Sequence, residues 1–289
     1  GRVTDGEVGI HEVMHTGDDE IAAWCAQQEP RALGSEHMLL PVWGGSKDYV
    51  DDLTGLPLPP DLCKAARKKE IDYFISKGVW DIRSINEARR VMGRSPISVR
   101  WVETNKGDDK SPNVRSRLVA REIRTAGQES IFAPTPPLES LRMILTMATT
   151  DFGNGWTPCR DPLSEQRTQV LLVDISRAYF NARTDEQEPI YVQLPTEAGF
   201  SEDQCGLLKR HMYGTRRAAE GWQDEYSTTL VSAGFVQGKA SACVFVHPER
   251  RIAVSVHGDD FTATAPKEQL DWFQKLLENH YELTVGGRL

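Results

Sequence analysis

The most regular pattern of apolar and polar positions runs through residues 252–265, IAVSVHGDDFTATA. Ile252, Ala253, Val254 and Val256 lead to His257-Gly258, which present Asp259 and Asp260 before the chain returns through Phe261, Thr262, Ala263 and Thr264. Two β-prone runs joined through a glycine and two aspartates predict a tight hairpin. The apolar run 170–173 in QVLLVDISRAYF predicts a second strand, ending on Asp174. Helical spacing is read in four places. These are Leu62, Ala66, Ile71, Phe74 and Ile75; Leu138, Leu141, Ile144, Leu145 and Ala148; Ala219, Trp222, Tyr226 and Leu230; and Leu270, Phe273, Leu276 and Leu277. Shorter strands are expected over residues 79–82, 98–104, 115–120, 190–194, 243–246 and 281–285. From Asp174 onward the order is strand, strand, helix, two hairpinned strands, helix, strand. That mixture predicts an antiparallel sheet backed by helices, fold class α+β.

Residues 1–60 break the pattern. They show no sustained periodicity, end in Pro57, Pro59 and Pro60, and are expected to form a disordered acidic lead-in. They contain their own acid pair, Asp51-Asp52, but Gly44-Gly45-Ser46-Lys47 precedes it and Thr54-Gly55-Leu56-Pro57 follows. No strand delivers that pair and none carries it back.

With 39% hydrophobic and 26% charged residues, the 289-residue chain has the composition of a soluble globular protein of one large or two ordinary domains. No apolar run reaches membrane-spanning length and the start is unlike a signal peptide, so no membrane partner is expected. The five cysteines are scattered, with no metal-type spacing, and predict reduced thiols in an intracellular setting. The net charge of −8 is uneven. Residues 1–61 hold 3 cations and 12 anions, residues 62–124 hold 16 and 8, and the remainder hold 15 and 22. A basic segment between acidic ones suits a local phosphate-binding face, or equally a basic helical surface.

Adjacent carboxylates on a hairpin repel one another, which is costly unless a cation sits on them. A solvated turn explains Asp259-Asp260 alone, but a neighbouring strand ending in Asp174 changes the weighing. Three acids from two strand ends are what a pair of divalent ions about 3.5–4 Å apart requires in nucleotidyl transfer. Arg115 and Arg117 alternate along one strand and share a face, where guanidinium forks suit phosphate oxygens. A basic edge strand is the plainer reading of those two.

Collinear pieces from about residue 64 onward extend this picture: GVWDI, SVRWVETNK, RSRLVAREI, ESIFAPTPPLESLRMILTMA, VLLVDISRAYFNA, IYVQLPTEAGF, LLKRHMYGTRRAAEGW, SACVFV and VHGDDF. In this order they resemble the polymerase domain of copia-type LTR retrotransposon reverse transcriptases, part of a retrovirus-related Pol polyprotein. The resemblance implies a fingers–palm fold, with a basic fingers-like region over residues 61–137 and a palm over 138–289. It implies RNA-directed DNA synthesis with two Mg²⁺ ions, Mn²⁺ being the alternative, on an RNA or DNA template with primer and dNTPs. Asp174, Asp259 and Asp260 take the places of the metal-binding aspartates. Tyr179 falls where an aromatic stacks under the incoming sugar, and Arg115 and Arg117 where the fingers hairpin meets the triphosphate. Departures are His257-Gly258, where the family has Tyr-Val, and Thr215 to Ala219, where it has Leu-Lys-Gln-Ala-Pro. Arg217 replaces the glutamine of a segment expected to line the nucleotide and template pocket. By the same resemblance Tyr49-Val50-Asp51-Asp52 spells a reverse transcriptase motif, but out of place, as a decoy. Thumb, ribonuclease H and integrase segments, expected of the polyprotein, have no counterpart here, which suggests a fragment or truncated copy acting in a cytoplasmic particle or nucleus. Two rivals stand beside this reading: a decayed relic that only binds nucleic acid, and a palm-type nucleotide cyclase.

Overall fold

A computed structural model describes residues 49–108, 110–123, 133–149 and 168–289. The expectations for residues 1–48, and that of a Gly/Pro-rich polar loop over 151–168, lie outside the described residues save for Thr168, which opens a strand. The fold is α+β, and the described residues form three sheets whose named strands all pair antiparallel.

The first helix, α1 (Pro60–Ser76), opens with proline in its first turn, where a missing N–H costs nothing. Of the three prolines that suggested disorder, Pro59 and Pro60 therefore start a helix. Its buried positions are Cys63, Glu70, Ile71 and Phe74, whereas Leu62 and Ile75 from the expected stripe are exposed. Strand β1 (Trp80–Ser84) runs into α2 (Ile85–Met92), a helix absent from the sequence reading. Its signals were present: the Ser84 hydroxyl accepts from the Asn86 and Glu87 amides, and Gly93 closes the helix at φ 67°. Strands β2 (Val99–Asn105) and β3 (Val114–Ala120) form a two-stranded hairpin.

Helix α3 (Leu138–Met147) buries Ile144, while Leu138 and Leu145 of its expected core stripe are exposed among the described residues. Strand β4 (Thr168–Ile175) follows, then a 3-10 turn at Ala178–Asn181. Next come β5 (Tyr191–Gln193), β6 (Gln204–Leu208), α4 (Ala218–Ser232), β7 (Val236–Gln237) and β8 (Val244–His247). The chain ends with β9 (Ile252–His257), β10 (Asp260–Pro266), α5 (Lys267–Glu278) and β11 (Leu283–Arg288).

Six strands make the largest sheet, in the order β11-β4-β10-β9-β8-β7. Residues 252–256 of β9 are all buried, so this central strand is covered on both faces and reads as a continuous apolar run rather than an alternating one. Leu270, Phe273 and Leu277 of α5 and Trp222, Tyr226 and Leu230 of α4 join the same core. The second sheet, β1-β6-β5, draws strands from both sides of residue 137, so a boundary there does not separate the sheets. No helix among the described residues is long and apolar enough to cross a membrane.

Residues 49–58, expected as the end of a disordered lead-in, form a small folded turn. Val50 bridges Pro57, and the Asp51 amide donates to the Leu56 carbonyl at 2.8 Å. The turn docks along β2, the Asp52 amide donating to the Glu103 carbonyl at 2.8 Å.

Candidate active site

Strand β4 lies between β10 and β11, which fixes the surroundings of its end. Asp174 is paired with Asp260 on β10 and with Thr284 on β11. The Ile175 amide donates to the Asp259 carbonyl at 2.9 Å, stitching the strand end to the hairpin. Residues His257 and Asp260 pair across the hairpin, leaving Gly258 and Asp259 as a two-residue turn. Gly258 sits at φ 60°, as the first position of a type II′ hairpin turn demands. Only glycine takes that conformation freely, so His257-Gly258 in place of Tyr-Val suits the turn rather than spoiling it.

Asp174, Asp259 and Asp260 each bring one carboxylate oxygen within 4.8 Å of the others. Asp174 and Asp260 are exposed and Asp259 is half-buried. Their closeness is what carboxylates sharing a metal ion require. Three oxygen donors on one open edge suit a hard divalent cation, which prefers carboxylates and keeps several waters. Exposed acids are also common without an ion, so the geometry fits a metal without naming one.

A cleft of about 360 Å³ opens beside the hairpin tip, lined among others by Tyr179, Gly214, Thr215, Arg216, Trp222 and Gly258. Tyr179 reaches it from the 3-10 turn but is only 6% exposed, its ring 5.1 Å edge-on from that of Tyr213. It is thus at once a core aromatic and part of the cleft wall. Trp222 on α4 was legible in the sequence only as a core residue. Its indole N–H donates to the Gly258 carbonyl at 2.8 Å and braces the tip.

The two arginines of β3 diverge. Arg115 is exposed and paired across the hairpin with Thr104, whereas Arg117 is 9% exposed and lies over the Tyr213 ring at 4.8 Å. Arg117, Tyr213 and Tyr179 therefore form a continuous line of ring contacts leading from the hairpin to the cleft. The hairpin is tied down next to it, the Ala120 amide donating to the Tyr213 carbonyl at 2.8 Å. Gly214, at φ 78°, allows this approach: a β-carbon there would sit 1.9 Å from the Ala120 oxygen.

Arg217 does not line that cleft. It turns to Glu188 at 3.1 Å and lies 3.9 Å from Glu220, on the wall of a separate cleft of about 970 Å³. Arg216 lines both, and its amide donates to Glu122 at 2.9 Å. His211 lies under helix α4, so close that a β-carbon on Gly221 would meet its ring at 2.5 Å. Burial, helped by the Arg217 charge, pushes the imidazole down to about 4 and keeps it neutral near pH 7.

The decoy pair has a different setting. Asp51 Oδ1 accepts from the Leu53 and Thr54 amides at 2.8 and 3.0 Å, and its Oδ2 accepts from the Asn105 amide at 2.8 Å. Asp52 accepts from the Glu103 amide at 2.7 Å and faces Arg100 at 3.5 Å. Asp51-Asp52 is a structural clip on β2, in keeping with its reading as a decoy.

Residues 79–289 match the model of the family described as reverse transcriptase (RNA-dependent DNA polymerase). The chain belongs to the reverse transcriptase family. A curated relative, the retrovirus-related Pol polyprotein from transposon RE2 of Arabidopsis thaliana, is 25% identical over 216 residues. The match takes in 71% of this chain but 13% of that polyprotein. Among solved structures, a foamy viral protease-reverse transcriptase in complex with double-stranded DNA aligns over 76% of this chain and 30% of its own, at 12% identity and a TM-score of 0.39. Membership in the reverse transcriptase family sets the cyclase rival aside.

Proposed function

We propose that this reverse transcriptase domain is of the copia type and extends a primer 3′-hydroxyl with dNTPs on an RNA or DNA template. The observation that carries the reading is the meeting of Asp174, Asp259 and Asp260 at one open edge, beside the cleft that Tyr179 lines. In this reading the six-stranded sheet is the palm and the β2–β3 hairpin belongs to the fingers.

The three aspartates would hold two Mg²⁺ ions. When bound, such ions lower the pKa of an attacking hydroxyl and neutralise charge on a leaving pyrophosphate. The chain's own residues supply position. The Ile175–Asp259 backbone bond and the β4–β10 register hold three like charges together, a placement that self-repulsion would otherwise oppose. Tyr179, clamped edge-on by Tyr213, presents a fixed surface under the sugar, where a 2′-hydroxyl would collide. Arg115, exposed on the hairpin, reaches a triphosphate as a fork, while Arg117 holds the ring contacts beneath it. The rest of the Pol polyprotein, ribonuclease H and integrase included, would be its partners.

Primer extension on an RNA template with Mg²⁺ tests the proposal. Extension by the wild-type chain and its loss in Asp259→Asn is the expected result. A wild-type chain that binds primer-template but never extends it would leave only the relic reading.

A further inference from the structure

Arg177 lies three positions after Asp174 and occupies the left-handed region at φ 51°, ψ 50°. A residue with a β-carbon is unfavourable there, and such strain persists only where the surroundings over-determine it. Apart from glycines, the described residues contain one other positive φ, at Arg251 in the turn between β8 and β9. Arg177 instead sits at the bend between the Asp174 strand and the Tyr179 turn.

What holds the bend comes from helix α1, whose 17 residues lie wholly before the stretch matched by the family. Glu70 of α1 is 2% exposed, and its Oε2 accepts from Arg177 Nε at 3.1 Å and Nη2 at 2.9 Å. The same guanidinium lies over the Tyr73 ring at 4.1 Å. One turn onward the helix grips the next residues, with Phe74 4.6 Å edge-on from Phe180 and Tyr73 5.8 Å from it. A buried carboxylate is expensive unless paired, and truncating one member leaves the other charge stranded. The pair therefore has little freedom to shift while the helix stays in place.

We propose that Glu70 and Tyr73 of α1 act as positioning residues that hold the strained Arg177 bend, and through it set Tyr179 against the incoming sugar. This rests on the polymerase reading for the part Tyr179 plays, and on geometry alone for the bend. Glu70→Gln keeps an acceptor but removes the charge. Amide hydrogen exchange reads the bend without any activity, because the Phe180 amide donates to the Arg177 carbonyl and the Ala182 amide to the Tyr179 carbonyl. In Glu70→Gln those two amides should exchange about tenfold faster, the loss of roughly one charge-assisted hydrogen bond, while Val254 in the sheet is unchanged. In primer extension the KM for dNTP should rise by a similar factor with kcat nearly constant, and discrimination against ribonucleotides should fall. Asparagine takes the left-handed region more readily than arginine. Adding Arg177→Asn to Glu70→Gln should therefore recover much of the lost discrimination, which a general loss of stability would not allow.

Unchanged exchange at Phe180 and Ala182 would overturn the proposal, as would acceleration spread evenly over Val254. Faster local exchange with unaltered sugar discrimination in an active chain would overturn the link to Tyr179. Faster local exchange in a chain that extends no primer would uphold the bend and sink the polymerase reading instead.

Discussion

Four Asp-Asp pairs occur in this chain, at 18–19, 51–52, 108–109 and 259–260; those at 51–52 and 259–260, both within the described residues, have opposite fates. The first is spent on the backbone: Asp51 accepts three amides and Asp52 a fourth, with Arg100 alongside. The second stands at a hairpin tip with a third carboxylate within 4.8 Å. The dipeptide is the same and the local turn is tight in both. What differs is the element that brings it. Asp259 and Asp260 are carried by strands in the middle of a six-stranded sheet, which forces them beside Asp174. Asp51 and Asp52 are carried by a short turn whose own amides at Leu53 and Thr54, with those of Glu103 and Asn105 on β2, satisfy them. Hydrogen bonds from amides make a carboxylate a structural fixture, whereas carboxylates crowded together call for a cation.

The comparison breaks most sharply at Asp174. Asp174→Asn should abolish primer extension, a loss of several kcal/mol or about a thousandfold in rate, while melting in EDTA stays level or rises as repulsion is relieved. A large fall in melting temperature with activity falling only in proportion would make Asp174 a structural residue. The mirror experiment is Asp51→Ala, which strands three amides and should cost about 2–3 kcal/mol of stability in denaturant unfolding. Extension per folded molecule should be nearly unaffected, and a stable but inactive variant would mean that the clip has a part in the chemistry. Gly258→Val asks whether the turn alone distinguishes the pairs: forcing φ near 60° on a β-branched residue should cost about 1–2 kcal/mol. An equally stable valine variant would show that the turn had rearranged.

The smallest effect is at Asp52. Burial raises its carboxyl above the usual range, more than the Glu103 amide and Arg100 lower it. A raised carboxyl pKa favours the folded state when protonated, so its contribution is present at low pH and fades as pH rises through the folded value. Asp52→Asn should therefore change stability by less than about 1 kcal/mol at neutral pH and flatten that part of the pH profile. A strongly destabilised asparagine variant would show that the charge itself holds the turn to Arg100.

Much of the candidate site was legible because it depends on short apolar runs that end at polar residues. Asp174, the hairpin and its two acids needed only the apolar runs before them. The α4 stripe of Trp222, Tyr226 and Leu230 was legible by its four-residue spacing, since each faces the core. Other features depended on tertiary partners. The α1 stripe was misjudged because Glu70 is buried by its pairing with Arg177, which no periodicity encodes. Residues 49–58 read as a tail because their acids are satisfied by β2, more than 40 positions away in sequence. Arg115 and Arg117 share a face by spacing, but only the packing on Tyr213 separates an exposed arginine from a buried one. Helix α2 was the avoidable omission, since Ser84, Glu87 and Gly93 mark its two ends.

The bond from Trp222 to Gly258 has a mechanical meaning. Helix α4 is a beam about 22 Å long at 1.5 Å per residue, buried along its length through Tyr226 and Leu230. The hairpin tip rests on this beam, so the three carboxylates stand on the stiff side of the cleft. The β2–β3 hairpin stands apart from the cleft lining, tied to Tyr213 by the Ala120 backbone bond and to residues 49–58 by the Asp51-Asp52 clip. The aspartates are thus the anvil of the site, braced by α4 through Trp222.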